Sequence, residues 1–298
     1  MNGFLNILKP PGMTSAAVVG AVKRLTGEKR VGHAGTLDPE AAGVLPVMIG
    51  QATRLFDFLA DKEKTYVAEC AFGLATDTQD AQGTVTAESG AVPTAEQVAA
   101  AARALTGDIQ QRPGAYSAVK RDGKRLYELA RAGIEAEAPL RTVHIERIDL
   151  HGRTDRGGWM MTVDCGRGTY IRSLCEDMGK LCGCPAHMRF LLRTRSGAFS
   201  LDTAMPLEEA RELAGQGELA ARLLSPDWPL GHLPRLDLPE AWWKKARSGV
   251  HLPLALLGED TETESPVRIY ADGHFTGIAA PSREEELLRW RIVMTDET

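Results

Sequence analysis

The chain has 298 residues, 43% of them hydrophobic and 25% charged, with a formal net charge of -5. This is an ordinary globular composition with room for a sizeable core in one or two domains, and its acidic balance argues against indiscriminate binding to nucleic acid. The opening "MNGFLNILKPPG" lacks the charged start and long apolar middle of a signal peptide, no stretch approaches membrane-spanning length, and the five cysteines are expected to be reduced thiols in the cytoplasm.

In chain order, "GFLNIL" reads as a first strand and "TSAAVVGAVKRLTG" as an amphipathic helix, capped by Thr14 or Ser15 and closed by Gly27. The glycine-rich stretch "GHAGTLDPEAAG" follows. Asp38, ahead of Pro39 and Glu40, has the pattern of a helix N-cap. The residues beyond it, with Gly43 and Pro46 leading into an apolar, β-branched run, allow at most a turn or two of helix. Gly32 and Gly35 suit a loop lying against a ligand. Then come "VLPVMIG" as strand, "QATRLFDFLA" as helix and "KTYVAECAFG" as strand. "PTAEQVAAAARALTG" is a helix with proline at its start and glycine at its end. "TVHIERIDL" and "WMMTVDC" alternate as neighbouring antiparallel strands, "TYIRSLCEDMGKL" is a helix, and "MRFLLRTRSGAF" a strand. Strands and helices interleave without a strict βαβ beat, so the fold class is α+β around a mixed, mainly antiparallel sheet.

Four prolines, Pro226, Pro229, Pro234 and Pro239, mark residues 224–239 as a linker. The helix "EAWWKKARSG" and the short strands "HLPLAL", "PVRIYADGHFTGIAA" and "LLRWRIV" beyond it predict a small β-barrel-like module. The expected division is residues 1–228 and 232–298.

Charge is distributed unevenly. Arg112, Lys120, Arg121, Lys124, Arg125 and Arg131 outnumber Asp122 and Glu128 in one short stretch, and Arg189, Arg193 and Arg195 form a second cluster. Each reads either as a solvated face or as one wall of a positive groove for a phosphate backbone. Cys182, Cys184 and His187 lack a second pair at zinc-binding spacing, so no metal is expected. Tyr66, Tyr170 and Leu191 suit core packing, Arg172 a helix surface, and Asp80 a polar turn, unless they converge on a site.

In this order and at these separations, "GHAGTLDPEAAGVLP", "KTYVAECAFGLATDTQDAQG", "YSAVKRDGKRLYELAR" and "GTYIRSL" resemble the TruB-type tRNA pseudouridine-55 synthase family. The opening "LNILKPPGMTS", with Lys9, and a C-terminal module similar to a PUA domain extend the resemblance over the whole chain. The chain departs from the family pattern at Pro113, which is followed by Gly114 rather than a second proline. The resemblance implies a pseudouridine-synthase catalytic domain with a basic insertion at about residues 112–140. It implies Asp38 as the catalytic carboxylate, working on the sugar or the base of a flipped uridine without metal or cofactor. Arg172 is implied as its partner, Tyr66 as a base-stacking residue, Leu191 as an apolar wall and Asp80 as an orienting group, with Tyr170 also at the site. His33 and Gly35 would lie against the RNA, Lys120 and Lys124 would clamp the T arm, and the PUA-like module would touch the acceptor end. A monomer needing no protein partner and no membrane is expected, with a role in folding tRNA as a second activity. Three rival readings are a non-catalytic RNA-binding protein of the same fold, a carboxylate hydrolase of small sugars, and a guide-RNA-dependent dyskerin-type enzyme. Only Glu40 is a sequence neighbour that could serve the second. The basic insertion and the absence of lysine-rich tails count against the third.

Overall fold

The computed structural model describes residues 1–59, 63–117, 119–121, 123–134, 136–258 and 264–294. The first strand, β1 (Gly3–Lys9), leads to α1 (Ser15–Thr26). Thr14 caps this helix by accepting from the Ala17 amide at 3.0 Å, and Gly27 closes it with a φ of 68°. After β2 (Val31–His33) the chain reaches Asp38 and then β3 (Ala42–Ile49). Asp38 caps no helix. The Ala41 amide donates to its carbonyl at 3.1 Å in a single turn, and β3 starts in place of a helix. The expected helix "QATRLFDFLA" is a 3-10 helix, Gly50–Phe58, in which Ala52 and Leu55, three residues apart, are both buried. That spacing matches three residues per turn.

Next come β4 (Lys64–Phe72), β5 (Leu74–Thr76), β6 (Val85–Glu88) and α2 (Ala95–Ala104). Thr94 and Gln97 form a reciprocal capping box on α2, which leaves Pro93 outside the helix. The insertion follows β7 (Gly107–Gln111) and holds β8 (Lys120–Arg121), β9 (Lys124–Arg125) and α3 (Leu126–Arg131). The body is completed by β10 (Arg141–Arg153), β11 (Trp159–Cys165), α4 (Ile171–Cys182), β12 (Ala186–Ser196), β13 (Phe199–Ser200), β14 (Met205–Pro206) and α5 (Leu207–Gln216).

The main sheet runs β14-β1-β3-β12-β4-β11-β10-β7, with β2 and β13 at its margins. Its pairs are antiparallel except β1 with β14 and β3 with β12. Successive residues of β1 and β3 feed two cores. Leu5, Ile7, Leu45, Val47 and Ile49 pack under α1 and α5, while Phe4, Val44 and Met48 face the opposite side. A separate core between the sheet and α2 and α4 gathers Tyr66, Ala68, Met161, Leu174, Met178 and Leu191. The body is thus a mixed, mainly antiparallel sheet with helices packed on it.

The C-terminal part is a five-stranded sheet in the order β15-β17-β18-β19-β16: β15 (Arg235–Asp237), β16 (Leu252–Pro253), β17 (Val267–Ala271), β18 (His274–Ser282) and β19 (Leu287–Val293). Helix α6 (Glu240–Arg247) covers one face through Ala246, Trp242 and Trp243. The Asp272-Gly273 turn joins β17 to β18 as expected, whereas "HLPLAL" yields only the two residues of β16 and then a 3-10 turn. The proline-rich stretch is not a loose linker. Leu230 and Leu233 are buried, β15 pairs in parallel with β17, and the Tyr270 hydroxyl donates to Asp227 at 2.6 Å. Composition misleads here because the prolines are interleaved with leucines that have a core to enter. Among the described residues no helix is long and apolar enough to cross a membrane. All five cysteines are free thiols.

Candidate active site

The loop between β2 and β3 is held from below. Gly35 sits at a φ of +123°, open to glycine and strained for other residues. Gly32 has no such backbone and lies at ordinary distance from Met48, so of the two glycines only Gly35 carries the conformational argument. Lys9, wholly buried, donates to the carbonyls of Pro10 (2.8 Å), Met13 (2.5 Å) and Pro39 (2.8 Å). Burial pushes its ammonium down to about 8, against the opposing pull of Glu40 and Asp38.

Asp38 leaves this loop with its side chain 31% exposed, against 7% for that of Arg172. The pair is a two-pronged fork: Arg172 Nε donates to one carboxylate oxygen at 2.9 Å and Nη2 to the other at 3.0 Å. Arg172 lies in the first turn of α4, and its remaining donors reach the carbonyls of Thr78 at 3.1 Å and Tyr116 at 3.2 Å. Tyr66 from β4 and Leu191 from β12 are buried in one cluster with Leu37 and Ala41, the residues on either side of the Asp38 turn. Burial pushes the Tyr66 phenol up to about 12, with Arg193 pulling the other way, so its hydroxyl stays protonated at neutral pH. The helix-surface reading of Arg172 and the capping reading of Asp38 both give way to an ionic pair whose carboxylate is partly exposed and whose guanidinium is buried.

Residues 23–171 match the model described as "TruB family pseudouridylate synthase (N terminal domain)", and residues 172–226 match "tRNA pseudouridylate synthase B C-terminal domain". The chain belongs to the TruB family. It is 42% identical over 291 residues to tRNA pseudouridine synthase B of Alkaliphilus oremlandii, covering 96% of this chain and 95% of that protein. The corresponding protein of Aromatoleum aromaticum is 40% identical over 299 residues, covering 100% and 94%. In three dimensions the chain is similar to a crystallised Cbf5-Nop10-Gar1 complex, with a TM-score of 0.72 and 26% identity over 98% of this chain and 85% of that one.

The rest of this TruB-family site is built by residues far apart in sequence. Tyr170 stands at the N-cap position of α4 without a side-chain cap, and its backbone is gripped instead by buried Gln111, which accepts from its amide at 2.8 Å and donates to its carbonyl at 3.1 Å. The Tyr170 ring packs against Val119, Leu126 and Ala138 of the insertion, and burial raises its phenol above the ordinary value. Asp80 accepts from the Thr78 hydroxyl at 2.6 Å and the Gln82 amide at 3.0 Å. It thereby shapes the turn that offers the Thr78 carbonyl to Arg172. Gln79, in the same turn, accepts from Ser173 at 3.1 Å and donates to Glu176, tying the turn to α4.

His33 ends β2 with its Nδ1 buried and without a hydrogen-bond partner. Burial, reinforced by Arg193, lowers its pKa, so it is a neutral imidazole at pH 7. It borders an open groove of ≈ 720 Å³ that Lys29, Arg30, Arg54, Phe56 and Asp57 also line. Lys124 is exposed on β9, and Lys120 lies on β8 with its side chain outside the described residues.

The second basic cluster forms no phosphate groove. Arg193 is fully buried, Arg189 pairs with buried Glu69 at 3.0 Å, and Arg195 pairs with Glu63 at 3.6 Å and donates to Thr65. Strict alternation would set all three on one face of β12, but the irregularities between Met188 and Phe190 and between Arg193 and Arg195 break it, which a count of charges does not register. Sequence reasoning missed Ser15, Gln79, Gln111 and the loop contacts of Arg193. For Arg193 the signal is a charge inside a largely apolar strand, whereas Gln79 and Gln111 sit in polar stretches that carry no signal.

Proposed function

We propose that this protein is a tRNA pseudouridine-55 synthase, an isomerase that converts one T-loop uridine to pseudouridine. The observation that carries this reading is the forked Asp38–Arg172 pair, its carboxylate 31% exposed, on a loop whose Leu37 and Ala41 share one apolar cluster with Tyr66 and Leu191. Names of relatives that span nearly the whole chain support the choice of tRNA as substrate. The reaction breaks the bond from N1 of uracil to the sugar, forms one from C5 to the same carbon, releases the C5 proton and protonates N1. No electrons are exchanged, and the reading assigns no cofactor.

The target nucleotide is extruded from the T loop, at a cost of a few kcal/mol in lost stacking. The everted uracil lies on the Tyr66 ring against Leu191, with Tyr170 at the edge of the cleft. Asp38 faces the electron-poor sugar carbon as the base departs, a task carboxylates perform in glycoside chemistry. Arg172 holds the carboxylate in position and Asp80 braces Arg172 through the Thr78 turn. Tyr66, a neutral phenol, serves as a stacking surface. His33 fills space left by the everted nucleotide, and Gly35 lets the loop approach the RNA. Lys120 and Lys124 ride on an insertion, residues 112–140, that closes over the T arm. Residues 232–298 act as a PUA-like module on the acceptor end, beside a catalytic part of residues 1–228, and the protein works as a monomer.

Incubating the protein with an unmodified tRNA transcript in the presence of a metal chelator, then mapping pseudouridine, tests the reading. Modification at a single T-loop position is expected. The Asp38→Asn variant should lose at least about 10³-fold in turnover while binding the transcript within about threefold of the parent. A product mapped elsewhere, no product, or full turnover by Asp38→Asn would overturn it.

A further inference from the structure

Arg193 is the largest wholly buried side chain among the described residues. No carboxylate pairs with its guanidinium among those residues. Instead Nε donates to the Val44 carbonyl at 2.8 Å, Nη2 to Gly35 at 3.1 Å and Nη1 to Thr36 at 3.4 Å. A cation removed from water without an anion is expensive, and an apolar side chain of similar volume fills such a site at lower free energy. Net stability is therefore a poor account of this residue.

Its partners explain it better. Two of the carbonyls, of Gly35 and Thr36, belong to the start of the loop that presents Asp38, and the third, of Val44, to β3 just beyond its exit. Between them, Ser15 Oγ accepts from the Leu37 amide at 2.9 Å and donates to the Leu37 carbonyl at 3.1 Å. Residues 35, 36, 37 and 44 are thus fastened from beneath, and the side chain of Asp38 is left to meet Arg172. At the same point β3 presses on β12: a side chain at Gly43 would lie 2.2 Å from the Arg193 carbonyl oxygen. The guanidinium emerges from the backbone that touches the loop's exit.

We infer that Arg193 is a positioning residue, whose buried planar fork sets the shape of the 35–44 loop and so the aim of the Asp38 carboxylate. This rests on the proposed function. A displacement of about 1 Å at the reacting group lowers turnover on the order of 100-fold without weakening substrate capture. Lysine keeps the charge but cannot span three carbonyls in a plane.

Steady-state kinetics on an unmodified tRNA transcript test the inference in Arg193→Met, Arg193→Lys and Ser15→Ala, each checked by thermal unfolding. Expected are kcat losses of about 100-fold for Arg193→Met and about 10-fold for Arg193→Lys and Ser15→Ala, all with KM within about threefold of the parent. Folded variants with unchanged kcat, or with kcat and KM altered in proportion, would overturn it. Should Arg193→Met fail to fold, the kcat and KM of the other two decide by the same criteria. A parent enzyme that forms no pseudouridine defeats the proposed function instead, an outcome distinct from an active parent whose Arg193 variants match it.

Discussion

Asp38 and Arg172 stand 134 positions apart in the chain, yet their side chains meet in one fork. The cation beneath them has its own signature in pH. Folding lowers the Lys9 ammonium from 10.5 to about 8, chiefly by burial, so the unfolded chain holds the proton more tightly. The burden on the fold is complete below pH 8. It is relieved as pH rises from 8 to 10.5, where the unfolded state binds more protons than the native one. Urea midpoints of the parent, referenced to Lys9→Met across this window, should rise with pH, by up to about 3 kcal/mol in unfolding free energy. A flat difference would show that the ammonium is solvated in the native protein. At this scale the local settings of Asp38, Tyr66, Leu191 and Arg172 read as a cap, core packing and a helix surface, and only the family resemblance set them together; the structure pairs Asp38 with Arg172 and buries Tyr66 with Leu191. Neither reading placed Arg193, Ser15 and Gln111 there, because each acts on backbone groups of a distant segment and side-chain identity carries no trace of that.

The approach of β3 to β12 sets a strict demand on Gly43. Its φ of +119° is strained for other residues, and a methyl group added there would lie 2.2 Å from the Arg193 carbonyl oxygen, an obstacle that is backbone rather than a movable side chain. Gly43→Ala is expected to lower stability by more than about 3 kcal/mol in urea unfolding, well beyond the usual cost of such a change in a strand. A loss under about 1 kcal/mol would mean that the two strands separate easily. An element with signals at both ends was read correctly from sequence: α1 has Thr14 and Gly27. The segment Gly50–Phe58 was misread because three-residue and four-residue apolar spacings look alike over nine positions. The run ahead of β3 was ambiguous for a related reason. Asp-Pro-Glu opens a turn as readily as a helix, and only the strand pairing of Gly43 to Ile49 with β1 decides between them.

Across the whole molecule, Leu230, Leu233, Ile278 and Ile292 of the C-terminal region share one apolar cluster with Phe4, Val44 and Phe199 of the body. Burying that cluster couples the two parts thermodynamically. Four of the five tryptophans lie beyond residue 227, so their fluorescence reports mainly the C-terminal region, whereas far-UV circular dichroism reports mainly the body. The two signals should give the same urea midpoint, and two separated transitions would contradict the coupling. The α+β class and the mixed sheet could be read from the order of elements, but this docking could not, since leucines among prolines give no hint of which surface they will meet.

One guanidinium also joins the Asp38 carboxylate to the insertion. The Arg172 nitrogen that grips an Asp38 oxygen is the same one that donates to the Tyr116 carbonyl, at the root of the insertion. A lever with such short arms has little slack. On the proposed function, a strand that displaced Tyr116 as it settled would turn Arg172, and the acid on its far side would turn with it.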